Sequence, residues 1–362
     1  MTTAPVRAGI IGVGRWAGVV ARAAKGSPRL QIVSALGKSP ERAEAFSREN
    51  GIPLSDGLEG MLAEPGLDAV LLLVPNELHL PFAKAAAEAG KHVYIEKPIA
   101  NELPQALAIL ALEKSCGVRI AVGHCARLLA GTRLIHQMAD QGVFGHVTQI
   151  EANFSNDRAL KLTPSDWRWY QASAPGGSLS QVAIHQFDTL RYLGGDIATV
   201  SASAARHSPV GAEVEDQWIV TVRFADGKLG SIVSSWASPG SYHVRVTGDA
   251  ALAFYEIDQS RWSTPEVLQQ GATLYVQPRG KGPDGRQLKP VPPGNMVREE
   301  LELFADSILS DGPCELSAKN GYMALAAVYA ALESAKSHGV AVPLATILER
   351  GGPASASQGR DG

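Results

Sequence analysis

Through about the first 125 residues, short apolar runs alternate with longer stretches whose apolar positions recur at the helical period. The runs near residues 6 to 11, 31 to 36, 69 to 74, 92 to 96 and 118 to 123 are read as strands. Strands separated by helix-period segments predict a parallel sheet with crossover helices. The punctuation agrees: Ser39-Pro40 and Asn101 are placed as N-terminal caps, Pro81 suits a first turn, and Gly90 and Gly117 suit C-terminal stops.

Beyond residue 125 the texture changes. A helix is expected near 127 to 141, then alternating β runs at 149 to 154, 199 to 205, 217 to 224, 230 to 236 and 243 to 247, joined by turns such as Ala225-Asp226-Gly227. Residues 277 to 294 are rich in Pro and Gly and read as a loop, and helical patterns return at 297 to 310 and 319 to 338. The expected fold class is α/β: an N-terminal Rossmann domain with a parallel sheet over 1 to 125, then an α+β domain with a large, mostly antiparallel open sheet over 126 to 345. A disordered tail is expected over 346 to 362, its Gly- and Ser-rich part from Gly351 onward. There is no internal repeat.

Composition narrows the function classes. A length of 362 residues with 45% hydrophobic content allows a real core in two domains. A net charge of −3 without a basic block removes the electrostatic footprint that nucleic acid or an anionic membrane requires. The start lacks a basic flank and apolar core, and the aliphatic stretch at 69 to 74 is too short to span a bilayer. Cys116, Cys125 and Cys314 show no metal-binding spacing. Together these predict a cytoplasmic protein with no resident metal.

The first strand ends in Gly12-Val13-Gly14-Arg15-Trp16-Ala17, a G-x-G-x-x-A turn opening a helix. Gly12 allows the tight turn, Gly14 lets backbone amides approach a pyrophosphate, and Ala17 lets the helix pack on the strand. An NAD site would place a carboxylate at the end of the second strand, where Gly37-Lys38-Ser39 stands instead. Lys38, Ser39 and Arg15 are suited to a 2′-phosphate, so NADP(H) is preferred over NAD(H); in the other reading Ser39 only caps its helix and Lys38 is solvated. The fourth strand runs into Glu96-Lys97-Pro98, which puts a three-donor cation where open parallel sheets bind ligands.

With Val74-Pro75-Asn76-Glu77-Leu78-His79 closing the third strand and Glu96-Lys97-Pro98 the next, the chain resembles the Gfo/Idh/MocA family (glucose-fructose oxidoreductase, inositol dehydrogenase, rhizopine catabolism). The likeness continues through Val122-Gly123-His124, Arg127 and Gly176-Gly177-Ser178-Leu179 to His185 and Asp188. It implies hydride transfer between a nicotinamide cofactor and a hydroxyl or carbonyl carbon, commonly of a sugar, polyol or cyclitol, in a homodimer or homotetramer. It also implies that Val74, Pro75, Asn76 and His79 lie near the cofactor, Glu96 near its ribose and nicotinamide, and Lys97 at the reacting oxygen. The Lys97-Pro98 bond is often cis in such proteins.

Residues 179 to 193 read as a helix stopped by Gly194-Gly195, with Gln181, His185 and Asp188 on one face. His185 is expected to act as general base while Lys97 donates to the developing alkoxide. Asp188 is expected to anchor its helix; His124, at the end of the fifth strand, has no assigned role, and His207, His243 and His338 are read as structural. Many dehydrogenases of the family carry Asp four residues before the histidine and Gly two before it, where this chain has Gln181 and Ala183. Gln181 is therefore expected to read substrate by hydrogen bonding. Trp167 and Arg168 are expected at the substrate, Trp167 stacking on a sugar and Arg168 forking onto a polar group, against the alternative of an aromatic plug between domains. Arg127 is a further substrate-binding candidate. Two other functions fit the same resemblance: a redox-neutral enzyme with tightly held cofactor, and a non-catalytic cofactor-sensing regulator.

Overall fold

The structure is a computed structural model that describes residues 4–351. Strands β1 (Val6–Ile11), β2 (Leu30–Leu36), β3 (Ala69–Leu72), β4 (His92–Ile95) and β5 (Ile120–Val122) form a parallel sheet in the order β2-β1-β3-β4-β5. Every residue of β3 is buried, because helices α1 (Arg15–Ala24), α2 (Pro40–Asn50), α3 (Leu58–Leu62), α4 (His79–Glu88) and α5 (Leu103–Cys116) cover the sheet. The carboxyl ends of β1, β3 and β4 deliver the three signature turns to one rim. Ser39 caps α2 and Gly117 ends α5 in a left-handed conformation, as expected. Asn101 is not a cap. Helix α5 begins two residues later, and Asn101 instead accepts from the Asn76 amide at 2.9 Å and, through its carbonyl, from the Tyr329 hydroxyl at 2.7 Å.

The second half is built on one large sheet. After α6 (Ala130–Asp140) come β6 (Val147–Ser155), α7 (Ile184–Gly194), β7 (Ile197–Ala205), β8 (Gln217–Phe224), β9 (Leu229–Ser235), β10 (Ser241–Gly248), β11 (Ala251–Ile257), β12 (Thr273–Pro278) and β13 (Gln287–Leu288). Helices α8 (Met296–Leu309) and α9 (Ala318–Lys336), strand β14 (Val342–Pro343) and α10 (Leu344–Gly351) complete the described chain. The nine strands run β13-β12-β11-β10-β6-β9-β8-β7-β14 and are antiparallel except where β6 meets β9. In β8 the strict alternation buries Trp218, Val220, Val222 and Phe224 on the face carrying α7 and α9, and turns Ile219, Thr221 and Arg223 outward.

Three expectations are corrected. Strands β11 and β12 fall where no strand was expected, and the expected loop at 277 to 294 in fact starts with the end of β12 and contains β13. These strands exist because each pairs with a neighbour already in the sheet. Residues 346 to 351, assigned to the tail, belong to α10; the rest of that tail lies outside the described residues. The sequence also does not divide cleanly at residue 125, because α8 returns to the first sheet. Arg298 donates to the Ala23 carbonyl at 2.8 Å, Ser27 donates to Glu302 at 2.7 Å, and Arg29 pairs with Asp306 at 3.1 Å.

Candidate active site

The turn after β1 is shaped by sterics. Gly12 has φ of 100°, and a Cβ there would come within 2.5 Å of the Leu73 carbonyl oxygen. Gly14, by contrast, faces open space, with nothing within 4 Å of where a Cβ would sit. That leaves a cradle beside the start of α1, whose free amides favour an anion, so the residues present fit a dinucleotide's diphosphate. At the end of β2, a Cβ on Gly37 would lie 2.4 Å from Val13 Cγ2. Close packing of the two turns thus excludes a side chain where an acidic residue would otherwise stand. Lys38 is exposed just beyond, and Ser39 is engaged in capping.

The Glu96-Lys97-Pro98 turn lies next to this cradle, and its Lys97-Pro98 bond is cis. Trp16 Nε1 donates to Glu96 Oε1 at 2.5 Å, the Tyr94 hydroxyl donates to the same oxygen at 3.3 Å, and the Lys97 amide donates to Oε2 at 3.3 Å. Burial raises the Glu96 carboxyl above its usual range against the pull of Lys97. Lys97 Nζ donates to the Gln181 carbonyl at 2.8 Å. Burial pushes this ammonium down to about 8; Glu96 opposes the shift and Arg168 adds to it.

Lys97 opens into a cavity of about 850 Å³ between the parallel sheet and the second sheet. Gly14, Arg15, Trp16, Val74, Pro75, Asn76 and Glu96 line it from the first half, and Trp167, Arg168, Gln181 and His185 from the second. The helix carrying Gln181 and His185 departs from expectation. Residues Leu179–Ala183 form a π-helical turn before α7 begins at Ile184, so the regular face drawn through Gln181, His185 and Asp188 breaks. The turn brings Gln181 and His185 to the cavity while Asp188 points elsewhere.

His185 is 2% exposed, its Nδ1 buried without a hydrogen-bond partner among the described residues. Its ring contacts Trp262 at 5.7 Å, His124 edge-on at 5.9 Å and Phe154 at 6.0 Å between centroids. Burial first, then the charge of Lys97, then His124, hold its pKa well below the usual histidine range. The imidazole is therefore held in its neutral form. His124 behind it is pushed down to about 4 by burial.

Of the predicted site residues, Gly12, Lys38, Ser39, His79 and Arg127 do not line the cavity, and the last two are held by other partners. Arg127, 4% exposed, grips Asp188 in a bidentate pair, with Nε donating to Oδ2 at 2.7 Å and Nη2 to Oδ1. Burial works against ionisation of Asp188, but Arg127 outweighs it and holds the carboxyl low. Asp188 thus anchors its helix as expected, and this anchoring removes Arg127 from substrate. His79 sits behind the cofactor turn, its ring nitrogens 3.0 Å from the Pro98 carbonyl and 3.1 Å from the Val74 carbonyl. It ties two turns together instead of facing the cradle, and burial lowers it to about 4.

Phe154 near the end of β6, Asn156 and Arg158 just beyond it, and Trp262 in the β11–β12 connection also line the cavity, though none was expected there. The cluster Asn156-Asp157-Arg158 directly after a strand was a usable signal; nothing local marks Trp262.

Comparison with known proteins gives a consistent picture. Residues 6–124 match the model of an oxidoreductase family with an NAD-binding Rossmann fold, and residues 132–254 match the GFO/IDH/MocA C-terminal domain. The 1,5-anhydro-D-fructose reductase of Ensifer adhaerens is 28% identical over 309 residues, 84% of this chain and 89% of that protein. The levoglucosan dehydrogenase of Pseudarthrobacter phenanthrenivorans is 26% identical, covering 85% and 89%. Among solved structures, a Desulfitobacterium hafniense protein provisionally described as an NADPH-dependent oxidoreductase superposes with a TM-score of 0.90 at 33% identity, covering 95% of this chain and 99% of that one.

Proposed function

The chain belongs to the Gfo/Idh/MocA oxidoreductase family, and from that membership we propose an NADP(H)-dependent dehydrogenase or reductase acting on a hydroxyl or carbonyl carbon of a sugar, cyclitol or related polyhydroxy compound. One observation carries the reading: Lys97, Gln181 and His185 converge in a single cavity beside the Gly12–Gly14 cradle. The names of the anhydrofructose reductase and levoglucosan dehydrogenase support the substrate class.

A bound nicotinamide supplies the hydride acceptor or donor. The protein's own residues handle the proton and the oxygen. Lys97, protonated at neutral pH with a pKa near 8, donates to the substrate oxygen and stabilises charge there. His185, neutral, takes the hydroxyl proton in the oxidative direction and returns it in reduction. Gln181 presents an amide to substrate, and Trp167, with Arg168 stacked over its ring at 4.0 Å, offers an apolar wall for a sugar face. Trp16 holds Glu96 and so fixes the turn beside the cofactor site.

The NADP(H) preference rests on Gly37, which leaves no carboxylate at the end of β2, on the exposed Lys38, and on the description of the Desulfitobacterium protein. Residues 1–125 serve the cofactor and 126–345 the substrate, with α8 lent back to the first. The outward β8–β9 face, where Ile219 is 62% and Val233 41% exposed, supports a homodimer or homotetramer. No helix among the described residues is long and apolar enough to cross a membrane, and the three free cysteines favour a cytoplasmic setting.

A panel of polyols and sugar derivatives assayed in parallel with NADP⁺ and NAD⁺ tests the proposal. Nicotinamide absorbance should change stoichiometrically with substrate, and NADP(H) should bind more tightly than NAD(H). Substrate conversion with retained cofactor and no net absorbance change would replace the reading with a redox-neutral one.

A further inference from the structure

Three guanidiniums reach the cavity besides the Lys97 and His185 that carry the proposed proton chemistry. Arg15 reaches it from the start of α1, and Arg158 and Arg168 from the opposite wall after β6. The last two are half-buried, yet neither guanidinium forms an ion pair or a side-chain hydrogen bond among the described residues. The nearby carboxylates are engaged elsewhere. Asp157 pairs with Lys161 at 2.6 Å, Asp166 accepts from the Thr163 amide and hydroxyl, each at 2.9 Å, and Glu96 is held by Trp16 and Tyr94.

Guanidiniums gathered without acceptors are costly unless a ligand supplies the negative charge. The cost is visible in Arg168, which burial first and then Arg158 and Arg15 push down to about 9. Arg158 is lowered for the same reasons, burial before Arg15. Two sources could bring such charge into the cleft, the cofactor's diphosphate and an acidic group on the substrate; both present clustered anionic oxygens. The diphosphate already has the open Gly14 cradle and the amides of α1 on its own wall. Arg158 and Arg168 stand on the facing wall, Arg168 over Trp167, near enough to Lys97 to lower its affinity for a proton and near enough to Arg15 to have their own lowered. This wall reaches from the diphosphate cradle to the reacting end.

We propose that Arg158 and Arg168 form an oxyanion site for the substrate, so that the sugar this enzyme handles carries a carboxylate or phosphate. The proposal rests on the reading of the cleft as a dinucleotide and sugar site. It gives Arg158, which no motif marks, a specificity-determining role. Both arginines have five donors in a planar fork suited to two oxygens at once.

Equilibrium binding to the NADPH-loaded protein tests it without relying on turnover. The probes are glucose, gluconate and glucose 6-phosphate, the proteins wild type, Arg158→Gln, Arg168→Gln and Arg158→Lys, with thermal melting to confirm folding. At least one acidic probe should bind about tenfold or more tightly than glucose, the scale of a charge-assisted contact. Arg158→Gln should erase that preference and Arg158→Lys restore part of it, while the NADPH dissociation constant stays within about twofold. If wild type shows no acid preference, the proposal fails. If the glutamine variants instead weaken NADPH and leave the acidic probes alone, the oxyanion is the cofactor's diphosphate and the substrate assignment is overturned. Acid-selective binding with no oxidation or reduction of any sugar would sink the dehydrogenase reading and leave the oxyanion site standing.

Discussion

Replacing Lys97 with Met should stabilise the cofactor-free protein while removing its activity. Burial holds the ammonium at about 8 in the fold against 10.5 when free; Glu96 is the main charge in its favour, and Arg168 works against it. A depression of about 2.5 units corresponds to about 3.4 kcal/mol of destabilisation by the charged form at neutral pH. Losing the 2.8 Å bond to the Gln181 carbonyl takes back about 1.5 kcal/mol, so a net gain of about 2 kcal/mol is expected. Met has similar length and no charge to desolvate. The sign fixes the pH window. Between pH 8 and 10.5 the unfolded chain holds the Lys97 proton and the folded one has released it, so wild-type stability rises through that range and the advantage of the variant shrinks. Urea denaturation at pH 7 and pH 10 measures both effects, with turnover measured alongside and expected to fall by about two orders of magnitude or more. A variant less stable than wild type at pH 7, or a difference independent of pH, would refute the burial argument; near-normal turnover would refute the catalytic one.

His185→Ala should lower kcat by about 10²- to 10⁴-fold with little change in the cofactor dissociation constant, as read by NADPH fluorescence. Arg127→Ala should cost about 3 to 5 kcal/mol in chemical denaturation, because it strands Asp188 as a charge with no exposure; Arg127→Ala with Asp188→Ala should recover part of that loss. Acid should destabilise the fold: His79 and His124 stay neutral down to about 4 in the fold but take a proton near 6.5 when unfolded, so stability present above 6.5 is lost as pH falls toward 4. A His124→Leu variant that keeps the full wild-type slope across that interval would remove His124 from the account.

Much of the first half was legible because its signals are local. Strands β1 to β5 announce themselves as apolar runs, and the Gly12 turn, the Ser39 cap and the Gly117 stop each follow from the conformational preference of one residue. What escaped depends on partners distant in sequence. Strands β11 and β12 are secured by pairing across the sheet, and Arg127 is claimed by a residue 61 positions away. The π-helical turn at Leu179–Ala183 has no periodic signature, yet it decides that Gln181 and His185 enter the cavity and Asp188 leaves it. Arg158 stands in a polar cluster directly after a strand, a local hint, but its meaning comes from Arg168 and Arg15, which reach the same space from other segments.

The return of α8 to the first sheet bears on how this chain can be taken apart. Phe304 of α8 packs on Tyr94, and Glu300, wholly buried on the same helix, lies against the tyrosine that supports Glu96. A fragment ending at residue 125 would lack this helix, bare the apolar back of α1 and leave Tyr94 half-covered. Nucleotide binding is therefore not a cassette that can be cut out at its sequence boundary. A minimal cofactor-binding unit must be discontinuous, joining the N-terminal segment to Met296–Leu309, and any chimera that exchanges substrate halves inherits this helix as a matching requirement.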